Sequence, residues 1–515
     1  MFSTILSGTV SGVQSHLIHV EVDLSSGLPC FVMVGRLGSE VREAAERVRI
    51  ALKNSGITIP PMHIAVNFSP ADIRKEGTGF DLPVAAGVLQ AMGKLPTGCM
   101  DGMLLLGELG LDGEIKPVKG VLPIALGAIK TGVAKCMVPE ENVKEAAVVK
   151  GMHAVAVRDL KQVMEYLRSA PEEREKMLPR VRVDGAELLK RKRKKGEPDF
   201  SEIIGQESVK RAAMIAACGF HHLLIVGPPG AGKTMLAKRL PGILPPMSLE
   251  ESLEVSSLYS IAGRLPEGQP LITQRPFLNP HHTISPQALS GGGRLPQPGV
   301  ISLSHRGVLF LDEMPEFKRQ TLDLLRQPLE DKEIQIVRST GSFTYPADVM
   351  LVGAMNPCPC GYFPDRNKCT CTPFEVHNYL SRISGPVLDR IDLCIRAPKV
   401  EIGQLQAGKR GESSAEIREK VMAGRERQKQ RYQGTAFCFN SDLGAGDVEK
   451  YCLLDRTEKE MLHKLAVTMD LSARAYHKIL KVARTIADLE GSEKIQAEHL
   501  SEAVCYRAGE EFYEK

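Results

Sequence analysis

Tryptophan is absent from this 515-residue sequence, aromatic residues make up only 5%, and long hydrophobic runs are missing. The absence of tryptophan carries little information. The absence of long apolar runs argues against a membrane protein, since a membrane-spanning helix needs about 18 consecutive apolar residues. The start of the chain also lacks the basic segment and apolar core of a secretory signal peptide. We therefore expect a cytoplasmic protein with no membrane partner.

The sequence also has little excess charge of either sign. Its formal net charge is +4 at pH 7 and its pI is about 8.3. Any role in binding nucleic acid must therefore depend on local basic patches and not on the field of the whole chain. Hydrophobic residues make up 43% and charged residues 25%, as in globular proteins. The length is enough for about two to four domains.

Residues 1–168 have the pattern of an α/β domain. Leu17–Leu24 alternates apolar and polar residues, as a half-buried strand does, and His63–Phe68 is a second strand. Glu40–Asn54 places its apolar residues on one helical face, and Asp81–Met92 is an apolar helix. The turn sequence at 111–114 predicts a hairpin between short strands.

A charged segment at 169–199 separates this domain from the rest of the chain. It contains three prolines and six consecutive basic residues, Lys190–Lys195. An exposed linker is the simpler interpretation. The alternative is an arm that contacts nucleic-acid phosphates.

Residues 200–400 carry nucleotide motifs, and residues 401–515 are mostly helical by pattern. The clearest helices are Glu458–Val467, Ala473–Leu489 and Ala497–Tyr506.

A complete phosphate-binding loop follows the apolar strand His221–Val226 and precedes a helix, which is the context that the G-x-x-x-x-G-K-[ST] pattern requires. Its glycines let backbone N–H groups converge on phosphate oxygens. We expect Lys233 to reach the β- and γ-phosphates and Thr234 to bind Mg²⁺. The loop consists of Gly227, Pro228, Pro229, Gly230, Ala231, Gly232, Lys233 and Thr234.

Two further strands end in polar residues suited to ATP hydrolysis. The apolar run at 307–311 leads into Asp312, a predicted Mg²⁺ ligand, and Glu313, a predicted general base. The strand Val349–Met355 ends in Asn356, which can orient water against the γ-phosphate. Together with the phosphate-binding loop, these residues predict an α/β P-loop ATPase whose cofactors are ATP and Mg²⁺.

Three longer stretches carry a family resemblance. They are Arg275–Gly293 (RPFLNPHHTISPQALSGGG), Gly307–Phe317 (GVLFLDEMPEF) and Tyr379–Asp392 (YLSRISGPVLDRID). With the ATP motifs they resemble the YifB/ComM family of magnesium-chelatase-like AAA+ ATPases, over essentially the whole chain. The resemblance implies a domain similar to the Lon protease domain, an AAA+ core with a parallel sheet, and a helical C-terminal lid. One departure is Val300, where the family usually has an acidic residue.

The resemblance also assigns residues that spacing alone does not. Arg390 matches the arginine finger, which reaches the γ-phosphate of a neighbouring subunit. Arg474 matches sensor 2, which contacts the bound nucleotide from the C-terminal lid. Ile204, Gly205 and Gln206 match the segment that lines the adenine pocket. An arginine acting in trans implies a ring, expected to be a homo-hexamer. Without the family, a surface salt bridge is the simpler interpretation of each arginine.

Four of the twelve cysteines form a C-x-C-x₈-C-x-C cluster. Two close pairs of thiolates can surround a tetrahedral Zn²⁺, and no open position is left for catalysis. A structural zinc knuckle that stiffens the loop after Asn356 is the hypothesis, and four free thiols are the alternative. The cysteines are Cys358, Cys360, Cys369 and Cys371.

Two segments are candidates for contact with a substrate. The segment 276–299 is long and rich in glycine, and long segments inside compact domains are usually functional. Residues 333–345 have the pattern of a hairpin with Arg338 at its tip. Packing between subunits is an equal alternative for both. The charged residues expected to contact phosphates are Arg275, His281, His282 and Arg294.

Peptidase chemistry is not expected from the Lon-like domain. Asp81 occupies the position of the nucleophilic serine of Lon-type proteases, and Val118 falls near the position of the catalytic lysine, flanked by Lys116 and Lys119. A carboxylate without a partner base is not a nucleophile for acyl transfer. We expect the domain to serve assembly or DNA contact.

The resemblance to this family implies an ATP-driven ring motor acting on DNA, similar to branch-migration helicases, with recombination proteins among its expected partners. One alternative is an ATPase subunit that drives a chelatase partner. Another is an unfoldase without peptidase activity.

Overall fold

The computed structural model describes residues 1–190, 196, 198–293, 296–338, 341–399 and 411–507. Most of the basic run Lys190–Lys195, and also Arg294, lie outside these residues. Among the described residues no helix is both long and apolar enough to span a bilayer.

The N-terminal region contains a seven-stranded mixed sheet of order β3-β4-β2-β1-β5-β8-β9. Strands β1 and β2 pair antiparallel, as do β2 and β4, whereas the other neighbours in the sheet are parallel. The strands of this region are β1 Phe2–Ser11, β2 Gln14–Ser25, β3 Cys30–Val34, β4 His63–Ser69, β5 Met103–Leu105, β6 Glu108–Leu109, β7 Ile115–Lys116, β8 Lys135–Pro139 and β9 His153–Val157. The predicted hairpin is present as the antiparallel pair β6–β7.

Five helices cover this sheet. They are α1 Ser39–Asn54, α2 Asp81–Ala91, α3 Val121–Lys130, α4 Val143–Ala147 and α5 Leu160–Arg168. Helix α2 is buried along nearly its whole length against β1 and β2. Gly87 makes this close packing possible, since a Cβ there would lie 2.6 Å from Val22 Cγ2.

The segment that follows contains two short helices. It forms α6 Pro171–Met177 and α7 Gly185–Leu189, and Val181 makes a β-bridge to Ala154. Val181, Val183 and Leu188 pack against the hydrophobic core of the N-terminal region. Most of the other described side chains in this segment are exposed, so its interpretation as an exposed linker stays a prediction, with local order added by these apolar contacts.

The nucleotide region is built on a five-stranded sheet of order β11-β14-β17-β10-β18, with parallel neighbours throughout. Its central strands are fully buried apolar runs, as strands covered on both faces are. Strands here are β10 Leu223–Val226, β11 Phe277–Leu278, β12 Gly291–Gly292, β13 Gln297–Pro298, β14 Val308–Leu311, β15 Glu333–Arg338, β16 Gly341–Pro346, β17 Met350–Met355 and β18 Leu393–Arg396.

Short and medium helices surround this sheet. They are α8 Glu207–Gly219, α9 Lys233–Ala237, α10 Leu249–Ala262, α11 Pro286–Ser290, α12 Val300–Leu303, α13 Arg319–Asp323, α14 Arg326–Asp331, α15 Pro373–Leu380 and α16 Gly385–Leu388. Single 3₁₀ turns occur at Glu140–Asn142, Phe200–Glu202, Leu240–Gly242, Met314–Glu316 and Asn440–Asp442.

The C-terminal region is helical, as the sequence predicts. Its helices are α17 Ser414–Arg431, α18 Ala445–Tyr451, α19 Arg456–Thr468, α20 Ala473–Glu490 and α21 Ala497–Cys505. Both α17 and α20 pack on α8, so this region shares a hydrophobic core with the nucleotide sheet. A buried carboxylate, Asp488, accepts hydrogen bonds from Arg431 and Asn440 at 2.9 Å each and stabilises the bundle.

Candidate nucleotide site

Three motif-bearing strands end side by side in the nucleotide sheet. Val226 at the end of β10 is in register with Met355 at the end of β17, and Leu311 of β14 pairs with Gly353 of the same strand. Since the carboxyl ends of parallel strands meet at one edge, the phosphate-binding loop, the Asp312–Glu313 pair and Asn356 converge there.

The phosphate-binding loop has backbone angles that favour glycine. Gly230 and Gly232 have φ of +77° and +79°, in the left-handed region where side chains are strained. Gly227 lies so close to β18 that a Cβ would be 2.4 Å from the Ala397 carbonyl oxygen. The turn therefore depends on all three glycines.

Lys233 is held at the centre of the loop. Its Nζ donates hydrogen bonds to the carbonyl oxygens of Gly227 (2.6 Å) and Pro228 (3.0 Å) and to Asn356 Oδ1 (2.9 Å). Burial lowers the pKa of this ammonium, while the nearby carboxylates of Asp312 and Glu313 oppose the shift. The lysine and the asparagine predicted to meet at the γ-phosphate are thus in direct contact.

The predicted magnesium ligands are also brought together. Thr234 Oγ1 donates a hydrogen bond to Asp312 Oδ2 at 2.6 Å. A hydroxyl beside a carboxylate is an oxygen donor set that Mg²⁺ accepts when phosphate oxygens and waters complete its coordination. The side chain of Glu313 is 63% exposed, and its backbone has φ of +50°, so its carboxylate is accessible to a substrate water.

A cavity of about 410 Å³ adjoins the loop and has a largely apolar lining that includes Ile204, Val209 and Met235. Gln206 also lines it and donates hydrogen bonds to the carbonyl oxygens of Ala231 (3.2 Å) and Pro398 (2.5 Å). Its Oε1 is buried and has no hydrogen-bond partner among the described residues. An apolar cavity with an unpaired acceptor suits a purine base with an exocyclic amino group.

The two arginines assigned by resemblance lie together, on one carboxylate. Glu330 of α14 forms an ion pair with Arg390, which follows α16, and another with Arg474 at the start of α20, at 3.4 Å. Arg390 also donates to the Pro386 carbonyl oxygen at 2.6 Å. Arg474 is 63% exposed and does not line the cavity beside the phosphate-binding loop. Sequence reasoning missed Glu330, whose position near both arginines arises only from packing.

The four cysteines converge after Asn356. Their Sγ atoms all lie within 4.8 Å of one another. The separations from Cys358 are 3.4 Å to Cys360 and 3.8 Å to Cys369. A tetrahedral zinc with Zn–S bonds of about 2.3 Å places its sulfurs about 3.8 Å apart, so the arrangement fits this ion.

The two candidate substrate segments meet each other. Tyr345 of β16 donates a hydrogen bond to the Pro296 carbonyl oxygen at 2.6 Å, and a Cβ at Gly292 would lie 3.2 Å from a guanidinium nitrogen of Arg338. The segment at 276–299 also approaches the predicted general base, since His282 Nδ1 lies 3.9 Å from Glu313 Oε2. Sequence reasoning treated these loops separately and missed that contact.

Arg275 does not belong to this surface. It is 7% exposed, forms an ion pair with Glu251 at 2.9 Å and donates to the carbonyl oxygens of Pro245 (2.6 Å) and Arg306 (2.7 Å). Its proposed contact with substrate phosphates is therefore wrong, because the guanidinium is already engaged inside the core.

In the N-terminal region Asp81 is a buried structural carboxylate. Arg47 donates to both of its oxygens, at 2.7 and 2.9 Å, and the Leu109 N–H donates at 3.1 Å. Burial raises its pKa, although Arg47 opposes the shift. Val118 is also buried and bonded through its backbone to Asn142. No serine or lysine occupies these two positions.

Comparison with known proteins covers most of the chain. Profiles described as "Magnesium chelatase, subunit ChlI", "Subunit ChlI of Mg-chelatase" and "Magnesium chelatase, subunit ChlI C-terminal" match residues 199–405, 20–142 and 411–507. The chain is 43% identical over 498 residues to competence protein ComM of Haemophilus influenzae, with 96% of each chain covered.

Two other relatives are similar to this chain to different extents. YifB of Salmonella typhimurium is 42% identical over 504 residues, covering 96% of this chain and 95% of its own. The magnesium-chelatase 38 kDa subunit of Rhodobacter capsulatus is 27% identical over 176 residues, covering 31% of this chain and 50% of its own.

Proposed function

The chain belongs to the YifB/ComM family of magnesium-chelatase-like AAA+ ATPases, and on that premise we propose that it is a ring-forming motor that acts on DNA. ATPase activity follows from the family. The action on DNA, of the helicase or branch-migration type, is the proposal, together with a cytoplasmic location and recombination proteins as partners. The observation that best supports this proposal is that the two candidate substrate segments contact each other, and that one of them lies beside Glu313, the proposed general base.

Hydrolysis depends on groups that surround the γ-phosphate. Lys233 binds the β- and γ-phosphates, exchanging its contacts with backbone oxygens for phosphate oxygens. Glu313 accepts a proton from the attacking water, and Asn356 orients that water. Thr234 and Asp312 would hold Mg²⁺, which would neutralise charge on the phosphate oxygens.

Assembly into a ring, expected to be a homo-hexamer, is supported by the pairing of Arg390 and Arg474. Both arginines form ion pairs with Glu330, and among the described residues no ion pair joins either of them to the phosphate-binding loop. Guanidinium groups stabilise a transferring phosphate only by direct contact, so Arg390 acts on nucleotide held by a neighbouring subunit, whereas Arg474, as sensor 2, approaches the nucleotide from the C-terminal lid. ATP bound between subunits then links hydrolysis to motion of the loops.

A structural Zn²⁺ at the four cysteines is part of the same proposal. The sulfur separations suit a tetrahedral site. The N–H groups of Gly361 and Phe363 donate to Cys358 Sγ at 3.2 and 3.4 Å, which stabilises a thiolate ligand.

The decisive measurement is ATP hydrolysis by the purified full-length protein, with and without single-stranded, duplex and forked DNA. We expect DNA to stimulate hydrolysis several-fold. Glu313→Gln should abolish turnover while ATP still binds. The matched control is Glu316→Gln, an exposed carboxylate three residues away that pairs with Arg382.

An Arg338→Ala variant separates a DNA motor from other ATPases. This exposed arginine at the end of β15 is expected to contact a phosphate, so its loss should reduce the slope of log affinity against log salt concentration by about 1. Arg49→Ala, an exposed arginine on α1, serves as its control. Basal hydrolysis that no DNA form stimulates would contradict the proposal and favour a protein partner.

A further inference from the structure

The zinc-binding loop lies against the phosphate-binding loop. Here the zinc loop means residues 358–371, which carry the four cysteines. Gly361 of this loop approaches so closely that a Cβ would lie 2.5 Å from Pro229 Cδ and 3.8 Å from Asn356 Cγ. Pro229 is one of the loop residues between Gly227 and Lys233, and Asn356 is hydrogen bonded to Lys233. The zinc loop thus touches two elements that hold the γ-phosphate.

Its base is part of the core beneath the site. Cys358 is fully buried and packs in one hydrophobic cluster with Val226, Leu311 and Met355, the last residues of the three motif-bearing strands. The other three cysteines are partly buried and pack on the same cluster. A ligand joining all four sulfurs therefore ties the outer part of the loop to the strand ends.

The zinc loop needs a cross-link of this kind because it has little regular secondary structure. Between β17 and α15 the described residues form turns, and Tyr362 and Phe363 are exposed at 39% and 36%. A short loop with few buried apolar residues opens readily unless a cross-link holds it. Metal binding to four thiolates supplies folding free energy directly.

We propose that zinc bound to the four cysteines holds Gly361 against Pro229, so that metal occupancy controls ATP binding and turnover. With zinc bound, the zinc loop packs rigidly against the phosphate-binding loop on the side of Asn356. Without zinc this packing contact is lost. The backbone N–H groups of the phosphate-binding loop and Lys233 are then less well oriented toward the phosphates. This inference rests on the ATPase and zinc assignments above and does not depend on DNA.

The first test uses the wild-type protein without DNA. Purified under reducing conditions, it should contain about one zinc ion per chain by elemental analysis. Removal of zinc with a thiol-reactive mercurial, followed by reducing agent and a chelator, should weaken ATP affinity and lower basal turnover by about tenfold, since small misplacements at a catalytic site have effects of this size. Added zinc should restore both values. Cys438→Ser, at an exposed cysteine outside the cluster, serves as the control.

The second test changes the contact and leaves the ligands in place. Gly361→Ala puts a methyl group into Pro229, so zinc content should stay unchanged while ATP affinity and turnover fall. Gly434→Ala is the matched control, because its φ of +78° resembles the +85° of Gly361 but no atom lies within 4 Å of its Cβ position.

Protein that binds iron or no metal would overturn the assignment. Unchanged ATP affinity and turnover, after zinc removal or in Gly361→Ala, would overturn the coupling. Either result leaves the DNA proposal standing, since that proposal depends on stimulation by DNA.

Discussion

Glu330 is the residue on which Arg390 and Arg474 converge, although it lies 60 residues from one and 144 from the other. A carboxylate between two guanidinium groups fixes their orientation and lowers their mutual repulsion. In the ring proposed above, it also competes with the γ-phosphate of the neighbouring subunit for Arg390. Glu330 must therefore orient the two guanidinium groups while leaving them free to bind phosphate.

Glu330→Gln should lower kcat by about tenfold without raising KM for ATP, because the arginines lose their orientation but the positive charge facing the phosphate grows. Steady-state kinetics on the assembled protein measures both constants. Asp331→Asn, the next residue of α14, should change neither. A rise in KM with unchanged kcat would show that Glu330 acts in nucleotide binding instead.

His222 precedes β10 and is kept neutral by the fold. Burial lowers its pKa to about 4, and the nearby Asp392 only partly opposes the shift. Its Nδ1 accepts a hydrogen bond from the Leu351 N–H at 3.2 Å, which protonation would break. An unfolded histidine has a pKa of about 6.5.

Between about pH 6.5 and pH 4 the unfolded state binds a proton at His222 that the folded state does not, so folding stability must fall as the pH falls. At pH 4 this difference in proton binding lowers the free energy of unfolding by about 3 kcal/mol. His222→Asn retains an acceptor but does not titrate. We expect its melting temperature to fall less than that of the wild type between pH 7.5 and 5. Equal falls would show that His222 titrates normally.

At the level of elements, the Arg47–Asp81 pair joins α1 to the start of α2. Asp81 is fully buried, and Arg47 is 20% exposed. Helix α2 carries almost no other polar residue, so this pair and the Leu109 N–H determine how its first turn meets α1 and β6. The position that the predicted resemblance aligns with the nucleophile of Lon-type proteases therefore has a packing role here.

Asp81→Ser tests this role. The hydroxyl should show no peptidase activity on casein or fluorogenic peptides, because the neighbouring Arg47 cannot act as a base. Stability should fall by about 3 kcal/mol, as when one partner of a buried ion pair is removed. Glu46→Ser breaks an exposed pair on α1 and should leave the melting temperature unchanged. Peptide cleavage by Asp81→Ser would restore the protease interpretation.

At the level of the whole molecule, the described residues of the N-terminal region contact α10 and β16 of the ATPase region. Ser260 of α10 donates a hydrogen bond to the buried Glu145, and its carbonyl oxygen accepts from the Gly120 N–H at 3.3 Å. The turn between β1 and β2 touches β16, since a Cβ at Gly12 would lie 3.3 Å from the Thr344 carbonyl oxygen. The N-terminal region is thus in contact with the hairpin proposed to bind DNA.

The features that the sequence determined by itself are local in the chain. Glycine spacing in 227–234, an apolar run before Asp312 and helical periodicity in α1 and α20 each occupy one short window, where backbone preference and hydrophobic pattern suffice to predict the element. The family resemblance also singled out Arg390 and Arg474. It did not reveal that both form ion pairs with Glu330.

Only the tertiary structure decided which of these elements touch. It brought Glu330 to both arginines, Gly361 to Pro229, and His282 toward Glu313, and it buried Arg275, which the sequence had suggested for substrate contact. Such contacts join residues far apart in the chain, and they depend on how helices and loops pack on the sheet. No local pattern encodes them, because packing is satisfied by the whole core at once.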